Sequence, residues 1–355
     1  MAGDTRERIM EAALRLFARN GYPGTSMSDI AAQLGIQENG VIFTGGGTES
    51  DNLAILGVAA TLRQSANFVC SAIEHPALAE TIHRVEQMGH TVRVLPIDAR
   101  GVVDLAACET VIDKHTALVS CMQVSNETGA IQPVEELAKL AHRKNPNVRI
   151  HVDGVQGFMR VPMHMERMGV DLYALSGHKI HGPKGIGVLA VRPGIRLIPQ
   201  ITGGGQEKGL RSGTEATPQI AALAAAAKLG KDALDEHIAY LNDLKAYALA
   251  QFQALVPGLV VVSAGDAPHI CAVSLPGYPS QVVVRYLSDQ GFCLSAGSAC
   301  HRGKASHVYA AMNLSKPVRD GMLRVSFGPS NTKEEVDKLA QALLGVTKTL
   351  VAAGR

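Results

Sequence analysis

The sequence predicts an α/β protein: a mostly parallel sheet covered by helices, followed by a smaller α+β C-terminal domain. Three observations carry this. Short β-rich apolar runs alternate with helical stretches from Val41 to Val191, the pattern of repeated strand–helix–strand units. The chain has 355 residues, 46% of them apolar, which supports a large buried core and a second, smaller domain. An alanine-rich helical stretch from about Pro218 to Val256 then leads out of the strand-rich part.

The elements follow in order. Residues 5 to 36 read as two helices: Ile9, Ala12, Ala13, Leu16 and Phe17 share one face, and Gly21, Pro23 and Gly24 break the chain. Thr25 or Ser26 can cap a second helix through Ile30, Ala31 and Leu34, which Gly35 ends. This run resembles the start of TetR-type regulators. Their recognition helix should come next, but Gln37-Glu38-Asn39-Gly40 leads straight into the strand-like Val41-Ile42-Phe43. Further strands are expected at Asn67–Cys70, Thr91–Leu95, Ala117–Met122, Arg149–Val152, Leu172–Leu175 and Gly187–Val191. Helices are expected from Glu49 to Gln64, from Pro76 to Met88, and near 103–113, 133–143 and 161–168. Helices between successive strands imply parallel pairing. In the smaller domain, strands are expected at Leu259–Val262, Ile270–Ser274 and Leu323–Ser326, with a last helix from Lys333 to about Leu350. The expected domains are a helical segment 1–36, a large domain 37–238 and a small domain 239–355.

Composition narrows the function. The net charge is +2 with both signs interspersed, so there is no electrostatic case for a nucleic-acid or membrane partner. No apolar run approaches a membrane span, and the charged N-terminus lacks a secretory apolar core. Six scattered cysteines show no paired metal spacing, so no metal site is expected. Reduced thiols in a cytoplasmic protein fit this usage, with five of the six as core filler.

The chemistry-bearing stretch is Ser176-Gly177-His178-Lys179-Ile180-His181-Gly182-Pro183-Lys184-Gly185, just after an apolar strand. A lysine so placed can leave solvent, lose its proton and act as a nucleophilic amine, for instance as a Schiff base to pyridoxal phosphate (PLP). The plain alternative is a glycine-rich turn with surface lysines. Asp153 ends the apolar strand Ile150-His151-Val152, where a carboxylate needs a partner; a protonated pyridine nitrogen would serve, and capping the next segment is the alternative. In a parallel sheet Asp153 and Lys179 share the carboxyl edge. Gly45-Gly46-Gly47-Thr48, between a strand and a helix, can cradle a phosphate or simply turn the chain. His75 can sit over the same edge, and Asn126 can bind a carboxylate or phenolic oxygen; each can equally be an ordinary turn residue. Ser295 to Gly303 is a small-residue loop in which Cys300 precedes His301 and Arg302, whose charge favours thiolate. Arg324 lies inside an apolar strand and needs an anion, either a substrate carboxylate or a structural partner.

Together these motifs resemble the NifS/IscS-type cysteine desulfurases, fold-type I PLP enzymes of aminotransferase class V. The resemblance rests on Phe43-Thr-Gly-Gly-Gly-Thr-Glu-Ser-Asp-Asn52, Glu74-His75, Ser125-Asn-Glu-Thr-Gly129 and His151-Val-Asp-Gly-Val-Gln156. It continues through Ser176 to Gly185, Gly203-Gly-Gly-Gln-Glu207 with Arg211-Ser-Gly-Thr214, Ser295-Ala-Gly-Ser-Ala-Cys300 and Arg324-Val-Ser-Phe-Gly328. It covers nearly nine-tenths of the chain, from Val41 onward. It implies that Lys179 carries the cofactor and moves protons on the substrate. Asp153 would pair with the pyridine nitrogen, Gln156 with the phenolic oxygen, and His75 would stack on the ring. Gly47, Thr48, Ser176 and His178 would hold the phosphate, with Thr214 reaching in from a second subunit. Asn126 and Arg324 would grip the carboxylate of L-cysteine, and Cys300 would take the sulfur as a persulfide, giving alanine. The implied partners are a second copy of the chain and a sulfur-acceptor or scaffold protein of iron–sulfur cluster assembly. The family's usual opening strand and loop, roughly Tyr-Leu-Asp-Asn-Ala-Ala-Thr-Thr, is absent here, and the regulator-like helices stand in its place. Two other readings keep the fold: altered or lost catalysis, such as a selenocysteine lyase or another β-elimination enzyme, or a PLP-binding regulator suggested by residues 5 to 36.

Overall fold

The computed structural model describes residues 27–263, 265–296 and 306–352. Most of the regulator-like stretch, including Thr25 and Ser26, and the central part of the cysteine loop with Cys300 lie outside these residues. The chain divides into two compact units. The first takes the chain up to Pro96, Asp104–Gln123 and Gln132–Leu234. The second takes Ile97–Val103, Val124–Ile131 and everything from Asp235 onward.

The first unit is built on a seven-stranded sheet. Its strands are β1 (Val41–Thr44), β2 (Asn67–Ser71), β3 (Thr91–Leu95), β4 (Thr116–Ser120), β5 (Arg149–Asp153), β6 (Leu172–Ser176) and β7 (Gly187–Val191). Their order is β1-β7-β6-β5-β4-β2-β3. The pairs from β3 across to β6 are parallel, and β7 runs antiparallel to both β6 and β1. Six strands therefore share one direction. β1, β2, β6 and β7 are buried along their whole length, as their unbroken apolar runs require of strands covered on both faces. Leu53, Leu56, Phe68, Leu78, Leu118 and Leu189 belong to one core cluster between the sheet and the helices Gly47–Ala59 and Pro76–Gln87.

The helix Met27–Leu34 precedes β1 and packs on the helix Thr217–Asp232. Gly35, at φ 64°, ends it, and a single tight turn, Glu38–Gly40, leads into β1. No reading helix stands between Leu34 and β1.

Two helical expectations are corrected. Residues 161–168 form turns: Pro162 withholds an N–H early in the run, and Gly169, at φ 69°, reverses the chain after it. The alanine-rich stretch is two helices, Thr217–Asp232 and Leu234–Leu255, broken at Ala233 (φ −110°, ψ 10°).

The second unit holds a three-stranded antiparallel sheet, order β10-β9-β8, from β8 (Val260–Ser263), β9 (Ile270–Ser274) and β10 (Met322–Ser326). The helices Leu234–Leu255 and Lys333–Thr349 bury Leu244, Phe252, Leu339 and Leu343 against Cys271, Val273 and Leu323. Thr332 opens the last helix with a capping box closed by Glu335. Cys70, Cys108, Cys121 and Cys271 are buried, but Cys293 is exposed, so the expectation of five core cysteines fails at this position, in the loop between Phe292 and Ser295.

Candidate active site

In the first unit the singled-out residues other than Thr214 follow the carboxyl ends of strands that share one direction. β1 runs into the glycine loop, β2 into Glu74 and His75, β5 ends on Asp153, and β6 ends on Ser176 with Lys179 three residues later. A parallel sheet gathers such groups at one edge, where backbone groups stop being paired by neighbouring strands.

The glycine loop has the geometry of an anion cradle. Gly46 is the N-cap of the helix Gly47–Ala59 and adopts φ 150°, and no side chain caps this end. The first-turn N–H groups and the positive end of the helix dipole therefore stay available to a ligand. A Cβ on Gly47 would lie 2.6 Å from Cγ2 of Val155, so only glycine lets this turn approach β5 so closely. Thr44 Oγ1 and Ser50 Oγ, 2.8 Å apart, brace the loop from behind. Glu49 Oε2 accepts from the N–H of Gly45 at 2.9 Å, and its Oε1 takes the Nε–H of Arg211 at 2.8 Å. The cradle opens into a cleft of about 710 Å³ whose walls include Gly45, Gly46, Gly47, Thr48, Ser176, His178, Lys184 and Arg211. That size suits a small cofactor. Thr48 is exposed at its mouth, Ser176 is buried, and Thr214 is exposed. Ser176 Oγ and His178 Nδ1 share a hydrogen bond of 2.8 Å. Loss of water around the ring, then the charges of Lys179 and Lys184, pull the His178 pKa down and favour the neutral imidazole.

Asp153 is buried, and its Oδ1 accepts the N–H of Val155 at 2.9 Å. Burial first, and Asp51 second, push its pKa up to about 7, against the pull of Val155, His151 and Lys179. A carboxylate in this condition gains from a further cation beside it. Gln156 is half-buried just beyond it. Lys179 sits in the tight turn Gly177–Ile180 and is exposed. The expected withdrawal of this lysine from solvent therefore does not occur within the single chain, although its charge still acts on Asp153. Arg160 holds the turn: its Nη2 donates to the carbonyl of Lys179 at 3.2 Å and faces His181 Nε2 at 3.3 Å. His75 is the N-cap of the helix Pro76–Gln87, with its Nδ1 accepting from the N–H of Ala77 at 3.1 Å. The plain turn role foreseen for it is thus real, and it leaves the ring half-buried with its orientation fixed.

In the second unit, Asn126 and Arg324 come together. Arg324 Nη1 donates to the carbonyl of Asn126 at 2.9 Å, while its buried Nε has no hydrogen-bond partner. Gly129, at φ 73°, brings the Asn126 turn against Ile270. Ser295, at the start of the cysteine loop, exchanges backbone hydrogen bonds with Arg324.

Comparison with known proteins decides what this assembly is. Residues 25–339 match the family model described as aminotransferase class-V. A NifS/IcsS protein homolog of Lactobacillus delbrueckii subsp. bulgaricus is 37% identical, over 91% of this chain and 85% of its own length. A cysteine desulfurase of Gluconacetobacter diazotrophicus is 36% identical, over 92% and 82%. A solved NifS-like protein superposes with a TM-score of 0.90 at 31% identity, covering 97% of this chain and 96% of its own. The chain belongs to the class V aminotransferase family, among the NifS/IscS-type cysteine desulfurases. It is an enzyme of that type, with the fold the motifs implied.

The structure of this cysteine desulfurase also brings forward residues to which the sequence assigned no role. Asp51, Glu74 and His151 lie buried behind Asp153, and Arg160 steadies the lysine turn. A signal was present for two of them. His151 and Asp153 alternate on one face of β5, and Asp51 sits one helical turn beyond Gly47. The family model also takes in the helix Met27–Leu34, whereas the regulator-like residues before position 25 fall outside it. Among the described residues no cluster of His, Cys, Asp or Glu could hold a metal ion, and no helix is long and apolar enough to cross a membrane.

Proposed function

We propose that the chain holds PLP on Lys179 and converts L-cysteine to L-alanine, leaving the sulfur on Cys300 as a persulfide for an acceptor protein. The observation that carries this is the pairing, on one sheet edge, of an uncapped glycine cradle with a buried carboxylate whose ionisation burial opposes. A phosphate suits the first and a protonated ring nitrogen the second, so the residues present fit this cofactor. When bound, it supplies an electron sink for charge developing at the substrate's α-carbon.

The chain's own residues do the rest. Gly47, Thr48, Ser176 and His178 hold the phosphate, with Thr214 contributed by a second copy of the chain. Asp153 would keep the ring nitrogen protonated, Gln156 would hold the ring oxygen, and His75 would support the ring. Asn126 and Arg324 bind the carboxylate of L-cysteine, a role the unpartnered Nε of Arg324 supports. Lys179 moves protons at the substrate carbons. The Cys300 thiolate attacks the substrate sulfur. The S–S bond forms, the C–S bond breaks, and the substrate's thiol proton ends on the methyl carbon of alanine. The expected setting is a cytoplasmic homodimer that passes sulfur to a protein acceptor.

Sulfide and alanine formation from L-cysteine under reductant tests the reading. Cys300→Ala should abolish both while leaving the yellow cofactor colour. Full turnover by that variant would replace the persulfide route with simple elimination.

A further inference from the structure

Behind Asp153 the first unit buries more carboxyl groups than it can charge. Asp51 (1% exposed) comes from the helix that forms the glycine cradle, and Glu74 (2%) follows β2. His151 (0%) precedes Asp153 by two residues on β5, so both point to the same face of the sheet. The three acids are not equally supplied with donors. Glu74 Oε1 accepts from the Ser71 hydroxyl and from the N–H of Met122 at 3.0 Å. Asp153 accepts from Val155. Asp51 Oδ1 lies 3.4 Å from the Nε2 of His151, and neither atom has a hydrogen-bond partner. The other ring nitrogen, Nδ1, lies 2.7 Å from Ser120 Oγ.

Two unpartnered buried atoms facing each other, one an oxygen and one a ring nitrogen, need a proton between them. Placed on His151 with Asp51 ionised, that proton would leave a negative carboxyl beside Glu74 and Asp153 within one dry cluster. Placed on Asp51, it makes the acid the donor, Nε2 the acceptor and Nδ1–H the donor to Ser120, with every group neutral. We propose that Asp51 is held as the un-ionised acid and donates to His151 Nε2, so that the Asp51–His151–Ser120 chain is a positioning device that leaves Asp153 to carry the charge facing the cofactor ring. This rests on the PLP reading above.

The surroundings agree. Burial, then Glu74, hold the Asp51 carboxyl well above the usual range, and burial lowers His151 to about 4. The titratable groups in and around the cluster are Cys70 and Glu74 on and after β2, Cys121 after β4, His151 and Asp153 on β5, Tyr173 on β6 and Lys179 after β6. The same helix thus presents free N–H groups outward to an anion and an acid inward to the strand that bears Asp153. The cradle and the ring-nitrogen site are joined by one rigid element.

The test uses the full chain and two readouts. Infrared difference spectra of the cofactor-free protein at neutral pH, wild type against Asp51→Asn, should show the carbonyl stretch of an un-ionised carboxylic acid, present in wild type and lost in the variant. PLP titration of the cofactor-free proteins should show His151→Phe weakened on the order of tenfold, since Asp51 is then left without an acceptor. His151→Gln, whose amide oxygen can accept the same proton, should recover most of that loss. Absence of an Asp51-dependent acid band overturns the proposal, as does a His151→Phe variant that binds PLP like wild type. If wild type takes up no PLP at all, the PLP reading fails, and the infrared arm alone still decides the state of Asp51.

Discussion

Lys179 stands in a turn whose backbone is held both by the end of the β6–β7 ladder and by a neighbouring side chain. Lys179→Ala should therefore fold normally and lose the yellow colour expected of the wild-type protein with PLP, which absorbance spectra would show. Arg160 is the more informative residue. Its guanidinium donates to the Lys179 carbonyl and meets His181, which stands at φ 65°, a left-handed conformation costly for a side chain of this size. Because the guanidinium has no lone pair to offer, His181 Nε2 must be the acceptor, and this contact requires a neutral imidazole. Arg160→Met removes both contacts. PLP should then leave the protein roughly tenfold faster, corresponding to about 1–2 kcal/mol of lost hydrogen bonding, as followed by cofactor transfer to an excess of trapping reagent. Unchanged release would mean that the turn holds itself.

At the scale of elements, the helix Gly47–Ala59 owes its approach to β5 to one missing methyl group. Gly47→Ala drives a Cβ to 2.6 Å from Val155 and should weaken PLP binding by about 1–3 kcal/mol, the usual range for overpacking. The double variant Gly47→Ala, Val155→Ala restores the space, and PLP titration should show most of the affinity returning. The strands were legible because runs such as Leu172–Ser176 are apolar throughout and end at polar or glycine residues. Asp153 and Lys179 were legible for the same reason, as polar groups at strand ends where no core demands them. The helices were less so. Alanine favours helix wherever it stands, so nothing in residues 218–256 announces a break at Ala233. Residues 161–168 carry helix-forming side chains that Pro162 and Gly169 override. Asp51 and His151 escaped notice because their meaning lies in each other, and their contact joins residues 100 positions apart.

For the molecule as a whole, the buried cluster sets how stability responds to pH when no cofactor is bound. Asp153 and Glu74 both titrate near 7 in the folded chain against ordinary values of 3.8 and 4.5, and Asp51 lies well above its own. Each is a group that the folded state keeps protonated after the unfolded chain has released its proton. The stability each contributes is complete below the unfolded value and is lost as pH rises toward the folded one. His151 acts in the opposite sense: lowered to about 4 from 6.5, it favours folding as pH rises through that interval. Three groups oppose one, so from about pH 4.5 to about 6.5 this cluster should make the cofactor-free protein less stable as pH increases. Asp153→Asn takes one proton out of that balance. Its melting temperature without cofactor should exceed that of the wild type near neutral pH, with a shallower fall across the interval, while its affinity for PLP drops. His151→Phe removes the opposing group and should steepen the fall. Thermal unfolding of the three proteins over this range distinguishes them. A variant Asp153→Asn that melts lower than wild type at neutral pH would show that the carboxylate already has its cation within the chain, and that the site was not built to receive one.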